Sequence, residues 1–230
     1  MASCTAPAGQ VLCAMLEIYW GAGSPFAWRV LLAAELKRIP YESRLLEFSK
    51  GDLKKPEFLA LNPRGKVPVI RDGDVVLAES LAIIAYLERK HPDPPLLGKT
   101  PEETGRIWSA ISTFESYVRD VTTPLNRWLF GDKPRTAEID EARAQVGREL
   151  DRVEARLADH SWLVGDAITA ADVVWFPTLR AYIRAAVRNE ARAREVGLHP
   201  LADVYPNIAR WIARVEAVPG YDRTFPPHWR

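Results

Sequence analysis

At 230 residues the chain is long enough for one large domain or two ordinary ones, each with its own core. Its formal charge of +1 leaves no clustered basic excess of the kind nucleic acid or an acidic membrane surface requires, and no apolar run approaches a membrane span. The only two cysteines, Cys4 and Cys13, lie outside every periodic segment, and the four histidines (His91, His160, His199, His228) are far apart. A disulfide framework and a metal site are therefore not expected, and each histidine reads as a surface or loop residue.

Residues 1–14 carry no Lys or Arg and lack the basic flank of a secretory leader, so a disordered tail is expected, with Met15 as an alternative start and a cytoplasmic location. A short strand is predicted over residues 16–20. Two glycines then lead to Ser24-Pro25, a helix start with Ser24 at the N-cap and Pro25 at the first helical position, before apolar Phe26, Val30, Leu31, Ala34 and Leu36. A hydroxyl beside unpaired backbone N–H groups and a positive dipole end is suited to an anion. Residues 41–48 read as extended, and one or two helical turns follow Pro56. Asn62-Pro63-Arg64-Gly65 is a turn by composition. Residues 67–70 and 75–77 flank Asp72-Gly73-Asp74 as a hairpin with a three-residue loop. Glu79-Ser80 then opens a helix through Leu81, Ile84, Ala85 and Leu87.

Proline-rich residues 92–101 read as a linker. Beyond it the periodicity is helical throughout. One helix is marked by Ile107, Ile111, Phe114, Val118, Val121 and Leu125, with a kink expected at Pro124. A second, capped by Thr136, carries Ile139, Val146, Leu150, Val153 and Leu157. Thr169-Ala170-Ala171-Asp172 reads as a capping box, with Asp for the usual Glu, opening a third through Val173, Phe176, Leu179 and Ile183. Ile208, Trp211, Ile212 and Val215 mark a last one. The expected domains are a tail (1–14), an α/β unit (15–91), a linker (92–101) and an all-helical bundle (102–230).

Together, Ser-Pro-Phe, Asn-Pro-Arg-Gly-Lys-Val-Pro, Glu-Ser and Thr-Ala-Ala-Asp resemble the cytosolic glutathione S-transferases, over nearly the whole chain. Trp-Gly-Ala-Gly-Ser-Pro, Asn-Pro-Arg-Gly and Phe-Pro-Pro-His-Trp are most similar to the rho class, with the serine-type tau, phi and zeta classes next. The resemblance implies a thioredoxin-like domain followed by a helical domain, a homodimer, glutathione as co-substrate with no metal, and a small hydrophobic electrophile as the second substrate. Ser24 matches the serine whose hydroxyl hydrogen-bonds the glutathione sulfur. Phe26, from the Ser-Pro-Phe motif, joins the glutathione-binding group. Val67-Pro68 matches a cis-proline dipeptide whose backbone pairs with the cysteinyl part. Glu79 and Ser80 match the pair at the γ-glutamyl end, a carboxylate for the ammonium and a helix start for the carboxylate. Lys54 and Lys66 fall where groups for the glycyl carboxylate stand. Many relatives have Gln where Lys66 is and His where Leu53 is, so one donor is replaced by a cation and one is missing.

The electrophile would lie between the domains, with Phe114, Tyr117, Trp128 and Phe130 as candidates by location. Arg180, Arg184, Arg188 and Arg192 recur every four residues, as a solvated face or as a rim attracting an anionic co-substrate. Conjugation of glutathione is the expected activity. A glutathione-dependent isomerase or peroxidase, and a non-catalytic binding module, are the alternatives. A disulfide reductase is disfavoured because Ser24 stands where its nucleophilic cysteine would be.

Overall fold

The computed structural model describes residues 15–131, 134–197 and 199–229. The expected tail at 1–14, with Cys4 and Cys13, lies outside the described residues. The first half follows the order read from sequence: β1 (Leu16–Trp20), α1 (Pro25–Leu36), β2 (Tyr41–Leu45), α2 (Pro56–Leu61), β3 (Val69–Asp72), β4 (Val75–Ala78) and α3 (Ser80–Lys90). The strands form one sheet in the order β2-β1-β3-β4. β1 runs parallel to β2, with Leu16 opposite Tyr41, and β3 is antiparallel to β1 and β4, with Ile18 opposite Ile70. Leu16, Ile18 and Trp20 of β1 pack with Val30 and Leu31 of α1 and with Ile83 and Leu87 of α3. The hairpin loop is one residue shorter than expected. Asp72 still pairs with Val75, leaving Gly73, at φ 61°, and Asp74 as the turn.

The proline-rich segment is held to the α/β unit by charge. Lys37 Nζ donates to the carbonyls of His91 (2.6 Å) and Pro94 (2.8 Å) and pairs with Glu88 (2.5 Å). Glu88 in turn accepts from the backbone N–H of Leu96 (3.1 Å) and Leu97 (3.0 Å). After it come α4 (Pro101–Tyr117), α5 (Thr122–Phe130), α6 (Ala137–Asp159), α7 (Ala170–Arg188), α8 (Glu190–Glu195), α9 (Leu201–Val204), α10 (Pro206–Glu216) and α11 (Tyr221–Thr224). The single kinked helix expected over Ile107 to Leu125 is two helices. The break falls before Thr122, so Pro124 sits in the first turn of α5, where a missing N–H costs nothing. Thr136 holds the extended N-cap backbone of α6 but makes no side-chain capping bond.

α7 is the central helix of the bundle, with ten consecutive buried residues at 170–179, and its Thr169/Asp172 capping box is formed. Asp172 also accepts from Trp211 Nε1 (2.8 Å) and Leu163 N (3.0 Å), so one buried carboxylate ties α7, α10 and a loop together. Pro177 inside α7, not foreseen from the sequence, is tolerated because the helix is stabilised by packing on all sides rather than by propensity. α1 serves both cores, with Val30 and Leu31 facing the sheet and Trp28, Leu32 and Ala33 facing the bundle. Nine of its twelve residues are buried, which explains its weak one-sided periodicity. No helix among the described residues is long and apolar enough to cross a membrane.

Candidate active site

The loop from β1 into α1 brings Ser24 to the N-cap of α1, where its extended backbone (φ −79°, ψ 113°) lets Oγ accept from Ala27 N at 3.3 Å. Two glycines make this corner possible. A Cβ on Gly21 would stand 2.2 Å from the Phe48 ring, and Gly23 adopts φ 86°, a region L side chains avoid. The same corner is covered by the end of the chain. His228 lies against Gly23, Trp229 meets Trp28 edge-on at 5.4 Å, and the Arg184 guanidinium stacks over Trp229 at 4.7 Å. Phe-Pro-Pro-His-Trp is therefore part of the wall beside Ser24.

Next to the corner, a pocket of about 280 Å³ is lined by Phe26, Lys66, Val67, Pro68, Glu79 and Ser80, together with Asn62, Arg64 and Arg119. Asn62, buried, shapes the turn around it by donating to Lys66 O (2.7 Å) and accepting from Arg64 N (3.1 Å). Val67–Pro68 is a cis peptide bond. Glu79 immediately precedes α3 at φ 71°, an unfavourable backbone for a residue with a side chain. Ser80 is buried at the start of α3. Of the residues proposed from sequence, the pocket thus gathers Phe26, Lys66, Val67, Glu79 and Ser80. Ser24 stands just before Pro25 and Phe26, outside that lining. Lys54 lies exposed in the 3-10 turn Asp52–Lys54, which packs against Gly65 rather than lining the pocket.

The sequence reading missed Arg29. Its side chain is 1% exposed beneath the pocket, between the rings of Phe26 (4.8 Å) and Phe114 (4.9 Å). It donates to Glu115 (2.8 Å), to Val174 O (3.2 Å) and, at 3.5 Å, to Ser80 Oγ. Burial lowers the guanidinium pKa, and Glu115 opposes that shift. Glu115 also accepts from Arg119 (2.9 Å), which pairs with Asp120 (2.9 Å), so a charge chain runs from Ser80 to the surface of the bundle. The sequence offers only an arginine set in the largely apolar run from Phe26 to Ala34, and a buried charge persists only if paired.

Beyond Phe26 a wider cleft of about 860 Å³ opens against α5, lined among others by Lys66, Arg119, Asn126, Arg127, Phe130 and Thr178. Of the four aromatics expected there, only Phe130 lines it. Phe114 and Trp128 are core residues, and Tyr117 is exposed elsewhere. The four-residue arginine repeat is not a uniformly solvated face. Arg180 pairs with Glu216 (2.7 Å), Arg184 stacks on Trp229, and Arg192 donates to Trp128 O (2.5 Å). Of the four, only Arg188 is exposed.

Residues 23–90 match the family model for the glutathione S-transferase N-terminal domain, and residues 136–214 match that for the C-terminal domain. Glutathione S-transferase 4 of Zea mays is 35% identical over 163 residues, covering 69% of this chain and 73% of that protein. The chain belongs to the glutathione S-transferase family. Glutathione S-transferase 1 of Dianthus caryophyllus is 32% identical over 171 residues, 73% of this chain and 77% of the relative. The crystal structure of a glutathione S-transferase from the Antarctic clam Laternula elliptica superposes with a TM-score of 0.78 at 32% identity, covering 94% of each chain. The thioredoxin-like and helical halves and the transferase assignment read from the sequence stand with these likenesses.

Proposed function

We propose that this glutathione transferase is of the serine type, most like the rho class, and that Ser24 activates the glutathione thiol for conjugation to small electrophiles. The observation that carries this reading is the capped corner. Ser24 Oγ accepts the cap from Ala27 N, which leaves its own O–H free to donate to a sulfur lying at the pocket mouth. Lowering a thiol pKa by about two units requires roughly 2.7 kcal/mol of preferential thiolate stabilisation. A charge-assisted hydrogen bond contributes on the order of 1.5 to 3 kcal/mol, and a helix N-terminus typically adds about 0.3 to 1. The two suffice without a general base or a metal.

The rest of the tripeptide is assigned around that contact. Glu79 takes the γ-glutamyl ammonium, while Ser80, with the N–H groups opening α3, takes the α-carboxylate. Val67 offers its backbone to the cysteinyl part, with Phe26 against it. Lys66, in the lining, is better placed for the glycyl carboxylate than Lys54. Residues 15–91 form the glutathione domain, 92–101 the linker and 102–230 the domain for the second substrate. A cytoplasmic homodimer is the assembly the family likeness suggests.

Replacing Ser24 tests the reading. Ser24→Ala is expected to stay bound to a glutathione column yet lose about a hundredfold in turnover with a neutral aromatic halide, the two pKa units above. Turnover equal to wild type in that variant would remove Ser24 from the chemistry.

A further inference from the structure

The cleft against α5 carries polar atoms that the glutathione reading leaves unused. Thr178, 6% exposed and part of the cleft lining, has a buried hydroxyl with no hydrogen-bond partner among the described residues. Asn126, which projects from α5 into the same lining, has a buried Oδ1, an acceptor, equally unpaired among the described residues. A buried polar group without a partner costs about 1 to 3 kcal/mol, so the Thr178 hydroxyl, which can donate, marks a place where a ligand's own acceptor belongs, whereas the Asn126 oxygen calls for a donor. A helical threonine ordinarily bonds back to a carbonyl of the preceding turn. Here the carbonyl four residues earlier, Val174 O, receives Arg29 Nε instead.

The charges beside these atoms say which polar group. Among the described residues, Lys66, Arg119 and Arg127 line the cleft against one acid, Asp120. Arg119 and Asp120 neutralise each other at 2.9 Å. Lys66 is assigned to glutathione. That leaves Arg127, on the same face of α5 as Asn126 and Phe130, with no hydrogen bond or ion pair to any described residue. A hydroxyl that can donate and a guanidinium without a described partner in one cleft suit an acceptor group of negative charge, and a guanidinium matches the two oxygens of a carboxylate in particular. Phe26 and Phe130 supply flat apolar surface next to it.

We infer that the second substrate of this enzyme is a planar electrophile carrying a carboxylate, read by Arg127 and Thr178. The inference rests on the glutathione transferase reading for its chemistry and names the substrate class of that same site. With 4-chloro-3-nitrobenzoate as the model substrate, the thiolate sulfur bonds to the chlorine-bearing ring carbon and chloride leaves with the pair of the broken C–Cl bond. The ring carboxylate takes no part in that exchange and serves only to orient it.

The test measures binding apart from turnover. The full chain, with and without S-methylglutathione, is titrated calorimetrically at low salt with 3-nitrobenzoate and with its neutral isostere 3-nitrobenzamide. The benzoate is expected to bind about tenfold more tightly than the amide, equivalent to about 1.4 kcal/mol. Arg127→Gln should abolish that preference, Arg127→Lys should keep part of it, and Thr178→Val should weaken the benzoate several-fold. Equal affinity for the two probes, or a preference that survives in Arg127→Gln, would overturn the proposal. Failure of S-methylglutathione to bind, with the benzoate preference intact, would remove the glutathione reading and leave the carboxylate site standing.

Discussion

The pocket proposed for glutathione and the cleft beside it share Phe26, Lys66 and Arg119, yet they hold several of their polar groups differently. In the pocket, Asn62 spends both ends of its amide on the backbone of its own turn, and Ser80 has Arg29 at 3.5 Å. In the cleft, Thr178 and Asn126 have buried atoms bonded to no described residue, and Arg127 has no partner among the described residues. A pocket whose shape is fixed by backbone and buried partners suits one constant ligand, because little has to be ordered on binding. A cleft whose polar atoms wait for a partner is specific through its occupant.

Arg29 is the strongest point at which to break that contrast, since it underlies the pocket and touches the charge chain leading to the cleft. Arg29→Met should cost about 1 to 3 kcal/mol in urea unfolding, because Val174 O loses its side-chain donor and the half-buried Glu115 is left with Arg119 alone. Glutathione affinity should fall with it as Ser80 loses its neighbour. Adding Glu115→Gln should restore part of the stability and none of the affinity. Unchanged glutathione affinity in the destabilised single variant would confine Arg29 to the fold.

The cleft should respond with the opposite sign. Thr178→Val keeps the shape and removes the stranded hydroxyl, so the chain should gain about 1 kcal/mol in thermal or urea unfolding. A loss of stability instead would mean that the hydroxyl is already satisfied. Glu79 offers a comparable trade inside the pocket. A non-glycine residue at φ 71° costs on the order of 1 to 3 kcal/mol, against roughly 0.5 to 1 for the extra freedom of glycine. Glu79→Gly is therefore expected to stabilise the chain slightly while glutathione affinity, read on the same column or by calorimetry, drops. An affinity that survives would separate the strained backbone from ligand binding.

How much of this was readable beforehand follows from which atoms do the work. Ser24, the proline motif at Val67 and the Glu79-Ser80 pair depend on backbone geometry, and backbone geometry leaves local signatures such as Ser-Pro, Asn-Pro-Arg-Gly and a helix start. The strands and helices around them were visible by period for the same reason. The cleft is assembled from α1, α5 and α7, residues roughly fifty to a hundred positions apart in sequence. Nothing local distinguishes Thr178 from any threonine in an apolar helix, and location between the domains pointed to Phe114 and Trp128, which the core absorbs. The Pro124 kink failed because a proline in a first turn and one in a helix interior look alike until the break before Thr122 is seen. Arg29 was hidden by its neighbours. In a helix buried on both sides the period fades, and with it the expectation that an arginine there must be paired.

The smallest expected effect concerns the segment that closes over Ser24. Burial, and behind it the positive Arg184, hold the His228 imidazole below its ordinary value of 6.5. A histidine whose folded-state value is depressed contributes stability that is fully present above about 6.5 and lost as pH falls through the lowered value. His228 lies against Gly23 and next to Trp229, so the loss should be local: acidification should loosen the end of the chain from the Ser24 corner before it disturbs either core. The measurement is tryptophan emission between pH 7.5 and 5, taken as the difference between wild type and Trp229→Phe to isolate one indole. A shift centred below pH 6.5 is expected, and His228→Asn should abolish it. The same shift in His228→Asn would assign the transition to another group and leave the covering segment insensitive to pH, as fixed in its way as the pocket it adjoins.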